Sequence, residues 1–200
     1  MIHPFLQGFF ENPKQVASLV PSSSYLQNKL SSLPCFQTAQ FVVELGPGTG
    51  GTTAALLRAI PRSSCLLCVE IVSDFVDQLR QLSDKRLYVE EGSAFDLEIL
   101  LKHYDFPPPD VIVSGVPFSN MTSAEGRKLI ESIHSVLAPG GTFVTYQFRN
   151  RVCELAENYF GSPQNKSFVL WNIPPLGIYQ WKKTPAIPSR KEAYNSQTTI

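Results

Sequence analysis

Four glycines and one carboxylate have types and spacing that suit cofactor binding. Gly46, Gly48, Gly50 and Gly51 follow the apolar run FVVEL, whose fourth residue is Glu44. A nearly continuous apolar run is typical of a parallel strand buried on both faces, and glycines let the backbone pass closely beneath a ligand at the end of such a strand. The string G-x-G-x-x-G at Gly46, Gly48 and Gly51 also matches the dinucleotide-binding pattern. The sequence therefore predicts a cofactor loop.

The position of Glu44 favours S-adenosylmethionine over a dinucleotide. A dinucleotide brings a pyrophosphate to the helix N-terminus, where a nearby carboxylate would repel it. S-adenosylmethionine carries a sulfonium and an ammonium instead, so an acid beside the loop is favourable. The loop resembles the first motif of class I methyltransferases, an acid two residues before G-x-G-x-G, matched here by Glu44, Gly46, Gly48 and Gly50. The resemblance implies S-adenosylmethionine as the cofactor.

The ends of later strands add to the predicted cofactor site. Glu70 closes the next apolar run about 20 residues after the loop, where an acid is expected to accept both ribose hydroxyls. After the third run, class I methyltransferases usually have an acid that contacts the adenine amine. Here Ser93, a backbone group or Asp96 must substitute for it. The predicted cofactor-binding residues are Glu44, Gly46, Pro47, Gly48, Thr49, Gly50, Glu70, Ile71, Ser93, Ala94 and Ser114.

The turn that follows Ser114 lies where the methyl group is expected to emerge. It resembles the N/D-P-P-Y/F or N-L-P-Y segment of amine methyltransferases, which holds the nucleophilic nitrogen with a side-chain amide, a carbonyl and an aromatic face. Here Gly115 stands at the amide position, while Pro117 and Phe118 are kept. A carbonyl acceptor remains possible and the ring could face a cation. The predicted substrate-binding residues are Gly115, Val116, Pro117 and Phe118; the alternative is a plain proline turn.

No residue stands out in the sequence as a catalytic acid or base. A sulfonium is already activated, so positioning a deprotonated nucleophile in line with the methyl group supplies most of the rate. An ammonium substrate must still lose a proton, through desolvation or a nearby acceptor. Tyr25 and Tyr146 are the candidates for substrate contact, although a core or rim position is the commoner outcome for a tyrosine. His3, His103 and His134 have no partners at metal-ligand spacing, so no metal site is predicted.

Composition narrows the classes of partner. The chain of 200 residues carries 17 basic and 17 acidic side chains, so its formal net charge is zero. Because no overall positive charge attracts it to nucleic acid, we do not expect nucleic acid as a partner. No apolar run approaches the roughly 20 residues that span a bilayer, and no signal peptide is evident. Cys65 and Cys68 fall on opposite faces of one predicted strand, and no disulfide framework is expected. A cytoplasmic protein is expected.

Apolar runs and helical periodicities alternate along the chain. The predicted strands are residues 41–45, 65–69, 87–89, 110–114 and 142–146, and the predicted helices are residues 52–60, 71–82, 96–104, 124–137 and 152–160. Residues 167–173 and 177–182 are expected to close the sheet. The prediction is an α/β fold, a single Rossmann-like class I methyltransferase domain with a mostly parallel seven-stranded sheet and a C-terminal antiparallel hairpin. The expected divisions are an N-terminal helical arm (1–36), the S-adenosylmethionine-binding domain (37–183) and a polar tail (184–200).

The N-terminal arm admits two interpretations. Phe5, Leu6, Phe9 and Phe10 recur at helical spacing, and a second helix is expected to begin with a capping box at Ser24. The arm is either a lid packed on the domain or an apolar stripe that enters a lipid interface. Its polar face has few basic residues, and both hypotheses stay open.

Six segments carry a closer resemblance, namely residues 10–14, 21–26, 43–50, 113–118, 137–141 and 172–179. Together they are similar to the bacterial phospholipid N-methyltransferases of the Rhodobacter type, which convert phosphatidylethanolamine stepwise to phosphatidylcholine. The resemblance implies a cytoplasmic enzyme, peripheral at the inner face of the membrane, that methylates an aminophospholipid and touches the lipid surface through residues 5–26. The sequence departs from the pattern in its less basic arm and its missing strand-three acid.

Two alternative functions stay open at this point. An rRNA adenine N6-dimethyltransferase has an N-L-P-Y/F turn that residues 115–118 partly match, but zero net charge and the lack of a basic appended domain argue against it. A non-catalytic membrane-associated protein that binds S-adenosylmethionine is the other, and the intact cofactor residues argue against that.

Overall fold

The computed structural model describes residues 23–172 and 175–184. Its helices are α1 (Ser24–Ser31), α2 (Pro34–Thr38), α3 (Gly51–Ala59), α4 (Ser73–Arg80), α5 (Leu97–His103), α6 (Ser123–Val136) and α7 (Arg151–Phe160). Its strands are β1 (Phe41–Leu45), β2 (Cys65–Glu70), β3 (Leu87–Glu91), β4 (Val111–Ser114), β5 (Thr142–Gln147), β6 (Asn165–Val169) and β7 (Leu176–Lys182). The predicted apolar stripe at residues 5–10 and nearly all of the predicted tail lie outside the described residues.

The strands form one sheet of seven in the order β3-β2-β1-β4-β5-β7-β6. Strands β1 to β5 run parallel, whereas β7 pairs antiparallel with both β5 and β6. The predicted fold class is therefore confirmed, including the C-terminal hairpin. β2 and β3 follow on one side of β1, whereas β4 and β5 lie on its other side, so the strand order reverses at β1. Ligand crevices form at such a reversal, beyond the carboxyl ends of the strands.

Two apolar layers hold the sheet. Val43 and Leu45 of β1 pack in the layer covered by α5, α6 and α7, whereas Val42 packs in the layer covered by α1, α2 and α3. This alternation is the period of two expected of a strand. Cys65 and Cys68 of β2 divide between the same two layers, as their spacing predicts.

The described part of the arm packs on the domain. Leu26 and Leu30 of α1 are buried in the layer shared with α3. The capping residue is Ser23 rather than the predicted Ser24, because Ser23 has extended backbone and its side chain accepts a 3.3 Å hydrogen bond from the Leu26 N–H. Among the described residues, none of the helices is long and apolar enough to cross a membrane.

Candidate active site

The cofactor loop leaves β1 at Gly46 and enters α3 after Gly50. Gly46, Gly48 and Gly50 have φ of 66°, 61° and 83°, the left-handed region that glycine adopts at little cost. Between them, Pro47 is buried and Thr49 is exposed. A Cβ added at Gly48 would meet no heavy atom within 4 Å. The loop therefore has an open face at which a ligand can approach the backbone closely.

Glu70, at the end of β2, holds the loop from the side. Its Oε2 accepts a hydrogen bond from the Gly48 N–H at 2.9 Å, and its Oε1 accepts from the N–H groups of Ile71 at 2.9 Å and Val72 at 3.0 Å. These two N–H groups bend the chain around the carboxylate, so α4 begins at Ser73 and not at the predicted residue 71. Burial raises the pKa of Glu70, and the backbone donors oppose that shift.

Glu44 lies in the layer between the sheet and α3. Its carboxylate is fully buried, and its two oxygens accept hydrogen bonds from the Thr52 and Thr53 hydroxyls at 2.5 and 2.6 Å. Burial raises the pKa of Glu44, while the two hydroxyls lower it. The acid of the first motif therefore anchors the first turn of α3 from below, and its charge also benefits from the helix dipole.

Ser93 and Ala94 follow β3 and are half-buried. The Ser93 hydroxyl oxygen accepts a 3.2 Å hydrogen bond from the Phe95 N–H and so caps the short 3-10 turn Ala94–Asp96. Asp96 is exposed. Ser93 therefore stabilises this turn, and its predicted contact with adenine stays a prediction.

The loop and the predicted substrate turn meet between β1 and β4. The Gly115 N–H donates to the Leu45 carbonyl at 2.9 Å, and a Cβ added at Gly115 would lie 2.7 Å from the Gly46 carbonyl oxygen. Ser114 is fully buried, with its carbonyl accepting from the Thr145 hydroxyl at 2.8 Å. The structure therefore brings the two predicted motifs together at one point of the sheet edge.

A residue that the sequence did not single out clamps this turn. The Gln147 side-chain amide donates to the Val116 carbonyl at 2.9 Å and to the Thr145 hydroxyl at 2.9 Å. Its amide oxygen accepts from the Phe118 N–H at 3.2 Å. The signal for this role was the polar end of the apolar run TFVTYQ, one residue beyond the predicted strand.

The aromatic side chains differ from expectation in one case. Phe118 has no exposed surface and packs in the core with Met121 and Leu129, so the ring predicted to face an amine lies inside the protein. The cause is the 3-10 turn Phe118–Asn120, which directs this side chain inward. Tyr146, in contrast, reaches the turn: a Cβ added at Gly115 would lie 2.3 Å from its hydroxyl oxygen.

Five large apolar or aromatic side chains near the carboxyl ends of the strands are exposed, and we call them the aromatic rim. Phe148 follows β5, Phe168 pairs through Gly177 with the last residue of β5, and Leu170 and Trp171 follow β6. The Tyr25 ring lies 6.3 Å from that of Trp171. All five are between 57% and 76% exposed. The rim stands on the same edge of the sheet as the cofactor loop.

Comparison with known proteins identifies the class of this site. Residues 42–141 match the family model described as a methyltransferase domain. The chain belongs to the S-adenosylmethionine-dependent methyltransferases. This methyltransferase is 32% identical over 184 residues to the ornithine lipid N-methyltransferase of Singulisphaera acidiphila, an alignment that covers 88% of this chain and 92% of that protein.

Other similarities of the methyltransferase are shorter or structural. It is 33% identical over 141 residues to mitochondrial dimethyladenosine transferase 1 of Pongo abelii, covering 64% of this chain and 40% of that protein. Its fold resembles the N-methyltransferase NodS of Bradyrhizobium japonicum, with a TM-score of 0.63 at 13% identity over 92% of this chain and 98% of that one.

The site fits the family's cofactor, S-adenosylmethionine. The backbone face at Gly48 is open to a ligand. Two carboxylates, Glu44 and Glu70, border the loop, a setting that favours a cationic ligand over a pyrophosphate. Three backbone donors occupy three of about four acceptor positions on Glu70, which leaves one for a ribose hydroxyl and not the two that the sequence predicts.

Proposed function

We propose that this methyltransferase N-methylates an amine on a lipid head group at a membrane surface. The aromatic rim is the observation that carries the proposal. Monomeric soluble proteins seldom leave large apolar side chains exposed together without a function. Tryptophan and tyrosine are enriched where a protein meets the membrane interface, and the rim holds one of each, Trp171 and Tyr25, with their rings 6.3 Å apart.

The surroundings of the rim suit an anionic or zwitterionic lipid surface. The Lys166 ammonium lies 5.2 Å from the centre of the Phe168 ring and 5.3 Å from that of Tyr179. A lysine beside interfacial aromatic rings can reach lipid phosphates while the rings enter the apolar layer. The proposed lipid contact through residues 5–26 includes Tyr25 of the rim, whereas Leu26 is buried in the core and residues 5–22 lie outside the described residues.

The acceptor is a primary amine. The ornithine lipid N-methyltransferase of S. acidiphila supports an amino-acid lipid, and the phospholipid N-methyltransferase resemblance supports phosphatidylethanolamine; both head groups present an amine on a short polar stem. S-adenosylmethionine supplies the activated methyl group. The loop at residues 46–50 and Glu70 hold this cofactor, and the turn at residues 115–117 positions the amine. The lipid-covered rim excludes water from the reacting atoms, which favours the uncharged amine.

The test uses vesicles and methyl-labelled S-adenosylmethionine. The full chain is incubated with vesicles containing either phosphatidylethanolamine or ornithine lipid, and the lipids are then separated. We expect label in the amine of at least one of them, and the ratio of the two defines the preferred head group. Cofactor binding without label in either lipid would refute the proposal.

The role of the rim has its own variant. Trp171→Ala should reduce cosedimentation with vesicles several-fold, because burial of an indole at the interface is lost. Ile99→Ala is the matched control, since Ile99 is similarly exposed but lies on α5, in the connection between β3 and β4. Equal vesicle binding by the two variants would show that the rim does not contact the membrane.

One alternative acceptor has a specific observation in its favour. The similarity to mitochondrial dimethyladenosine transferase 1, together with the partial match of residues 115–118 to the rRNA adenine dimethyltransferase turn, supports an adenine as the acceptor. The methyltransferase spans 40% of that relative and has no net charge. Strong binding to ribosomal RNA that weakens steeply with salt, together with label in adenine, would favour this acceptor over a lipid.

A further inference from the structure

We propose that the Tyr146 hydroxyl is the side-chain group that binds the acceptor amine and directs its lone pair at the methyl group. The proposal rests on the amine N-methylation proposed above and names the residue that holds the nitrogen. The turn itself cannot do this with a side chain, because the residue beside the emerging methyl group is Gly115.

The phenol occupies the place of the missing side chain. A Cβ added at Gly115 would lie 2.3 Å from the Tyr146 hydroxyl oxygen and 2.8 Å from its Cζ. In a side-chain amide, bonds of about 1.52 and 1.23 Å place the oxygen about 2.4 Å from Cβ. The Tyr146 oxygen therefore lies at the distance at which an amide oxygen attached to residue 115 would lie.

A chain of polar groups holds this hydroxyl from behind. The Tyr146 side chain lies close to Thr52, whose hydroxyl donates to the Glu44 carboxylate at 2.5 Å. Burial raises the pKa of Tyr146, with a smaller contribution from the Glu44 charge. The phenol therefore stays neutral, and its oxygen keeps acceptor capacity toward Gly115.

An amine nucleophile needs such an acceptor. An uncharged primary amine has one lone pair and two N–H bonds. When one N–H donates to the Tyr146 oxygen and the other to a backbone carbonyl of the turn, the lone pair is left to face the methyl carbon. The N–C bond forms as the C–S bond breaks. The sulfonium becomes a neutral thioether, and the new ammonium releases a proton to water before another cycle.

This role predicts a dependence on the number of methyl groups already present. The neutral amine of an N,N-dimethylated head group is tertiary and has no N–H, so it has no hydrogen to donate to the Tyr146 oxygen. Tyr146→Phe should therefore slow the methylation of a primary amine about three- to tenfold, the range expected for one hydrogen bond. It should leave the methylation of a dimethylated amine nearly unchanged.

The experiment compares two vesicle substrates at saturating labelled S-adenosylmethionine. Phosphatidylethanolamine and its N,N-dimethyl form are supplied separately to the wild type and to Tyr146→Phe, and kcat is measured for each. Calorimetry gives the cofactor affinity of both proteins. Tyr88→Phe, which removes a hydroxyl from β3 on the far side of the sheet, is the matched control.

Each outcome decides the matter. Loss of kcat on the primary amine alone, with unchanged cofactor affinity, supports the proposal. Equal loss on both lipids, no loss, or weaker cofactor binding with normal kcat would overturn it. Absence of label from the wild type on every aminolipid is a different result, since it refutes the proposed function without reference to any variant.

Discussion

The two halves of the candidate site are built in different ways. At the ends of β1 and β2, the cofactor half consists of loop backbone held by one carboxylate, Glu70. At the ends of β4 and β5, the acceptor half consists of a glycine turn shaped by side chains from the neighbouring strand, Gln147 and Tyr146. The cofactor half is thus formed mainly by backbone, and the acceptor half mainly by side chains.

This difference shows where such a methyltransferase can change its substrate. The backbone of the cofactor half depends on glycine conformations that few substitutions tolerate. The side chains at the end of β5 can change without altering the pairing of the strands.

The largest expected effect comes from removing the carboxylate of the cofactor half. Glu70→Ala leaves the N–H groups of Gly48, Ile71 and Val72 without their acceptor and removes the proposed ribose contact. Hydrogen bonds to a charged group contribute about 1.5–3 kcal/mol each, so we expect cofactor affinity to fall by at least about tenfold. Titration calorimetry measures it.

The control is the acid on the neighbouring strand. Glu91 pairs in register with Glu70 but is exposed and accepts its hydrogen bond from the Ser73 hydroxyl. Glu91→Ala should bind the cofactor like the wild type. Wild-type cofactor affinity in Glu70→Ala would show that this carboxylate does not hold the cofactor loop in its binding conformation.

A smaller effect is expected from filling the contact between the two halves. Gly115→Ala would place a Cβ within 3 Å of the Tyr146 hydroxyl and the Gly46 carbonyl. Overpacking of this kind typically costs about 1–3 kcal/mol in the free energy of unfolding. Gly92→Ala, whose nearest contacts would be 3.9 and 4.0 Å away, is the benign control. The free energy of unfolding is measured by urea denaturation. Equal values for the two variants would show that the two halves are not in tight contact at Gly115.

Local patterns were sufficient to predict the fold and the position of the glycine loop beside Glu70. The glycine loop and Glu70 lie within one strand–helix–strand unit, and their principal contact spans 22 residues. The hydrogen bonds of Gln147 to the turn span 29 and 31 residues and depend on the pairing of β4 with β5, which composition and periodicity do not specify. The inward direction of Phe118 was missed for a similar reason, since a single 3-10 turn decides it.

Glu44 shows how the sequence could have been used further. The first motif assigned this acid to the cofactor, but it shares the parity of Val42, which faces the α3 layer. Two threonines in the first turn of α3 were then the natural donors to it. Strand parity, and not the motif, predicts that this carboxylate lies in the layer of α3.

The smallest effect concerns Glu44, which connects the two halves through Thr52 and Tyr146. Its pKa is raised above the ordinary value of 4.5 by burial, so the folded protein binds its proton more tightly than the unfolded chain does. Unfolding then releases a proton between 4.5 and the folded-state pKa, and stability falls as pH rises through that interval. Glu70 contributes in the same direction.

Glu44→Gln should make this decline shallower, because the amide does not ionise. The free energy of unfolding, measured by urea denaturation at several pH values from 4.5 upward, tests this. Glu70→Gln is the companion variant, since it removes only the contribution of Glu70 to the pH dependence of the free energy of unfolding. If Glu44→Gln instead steepens the decline, the carboxylate is stabilised in the folded state by Thr52 and Thr53 more than burial opposes it. In that case the ionised acid would itself fix the orientation of the hydroxyls that lead to Tyr146.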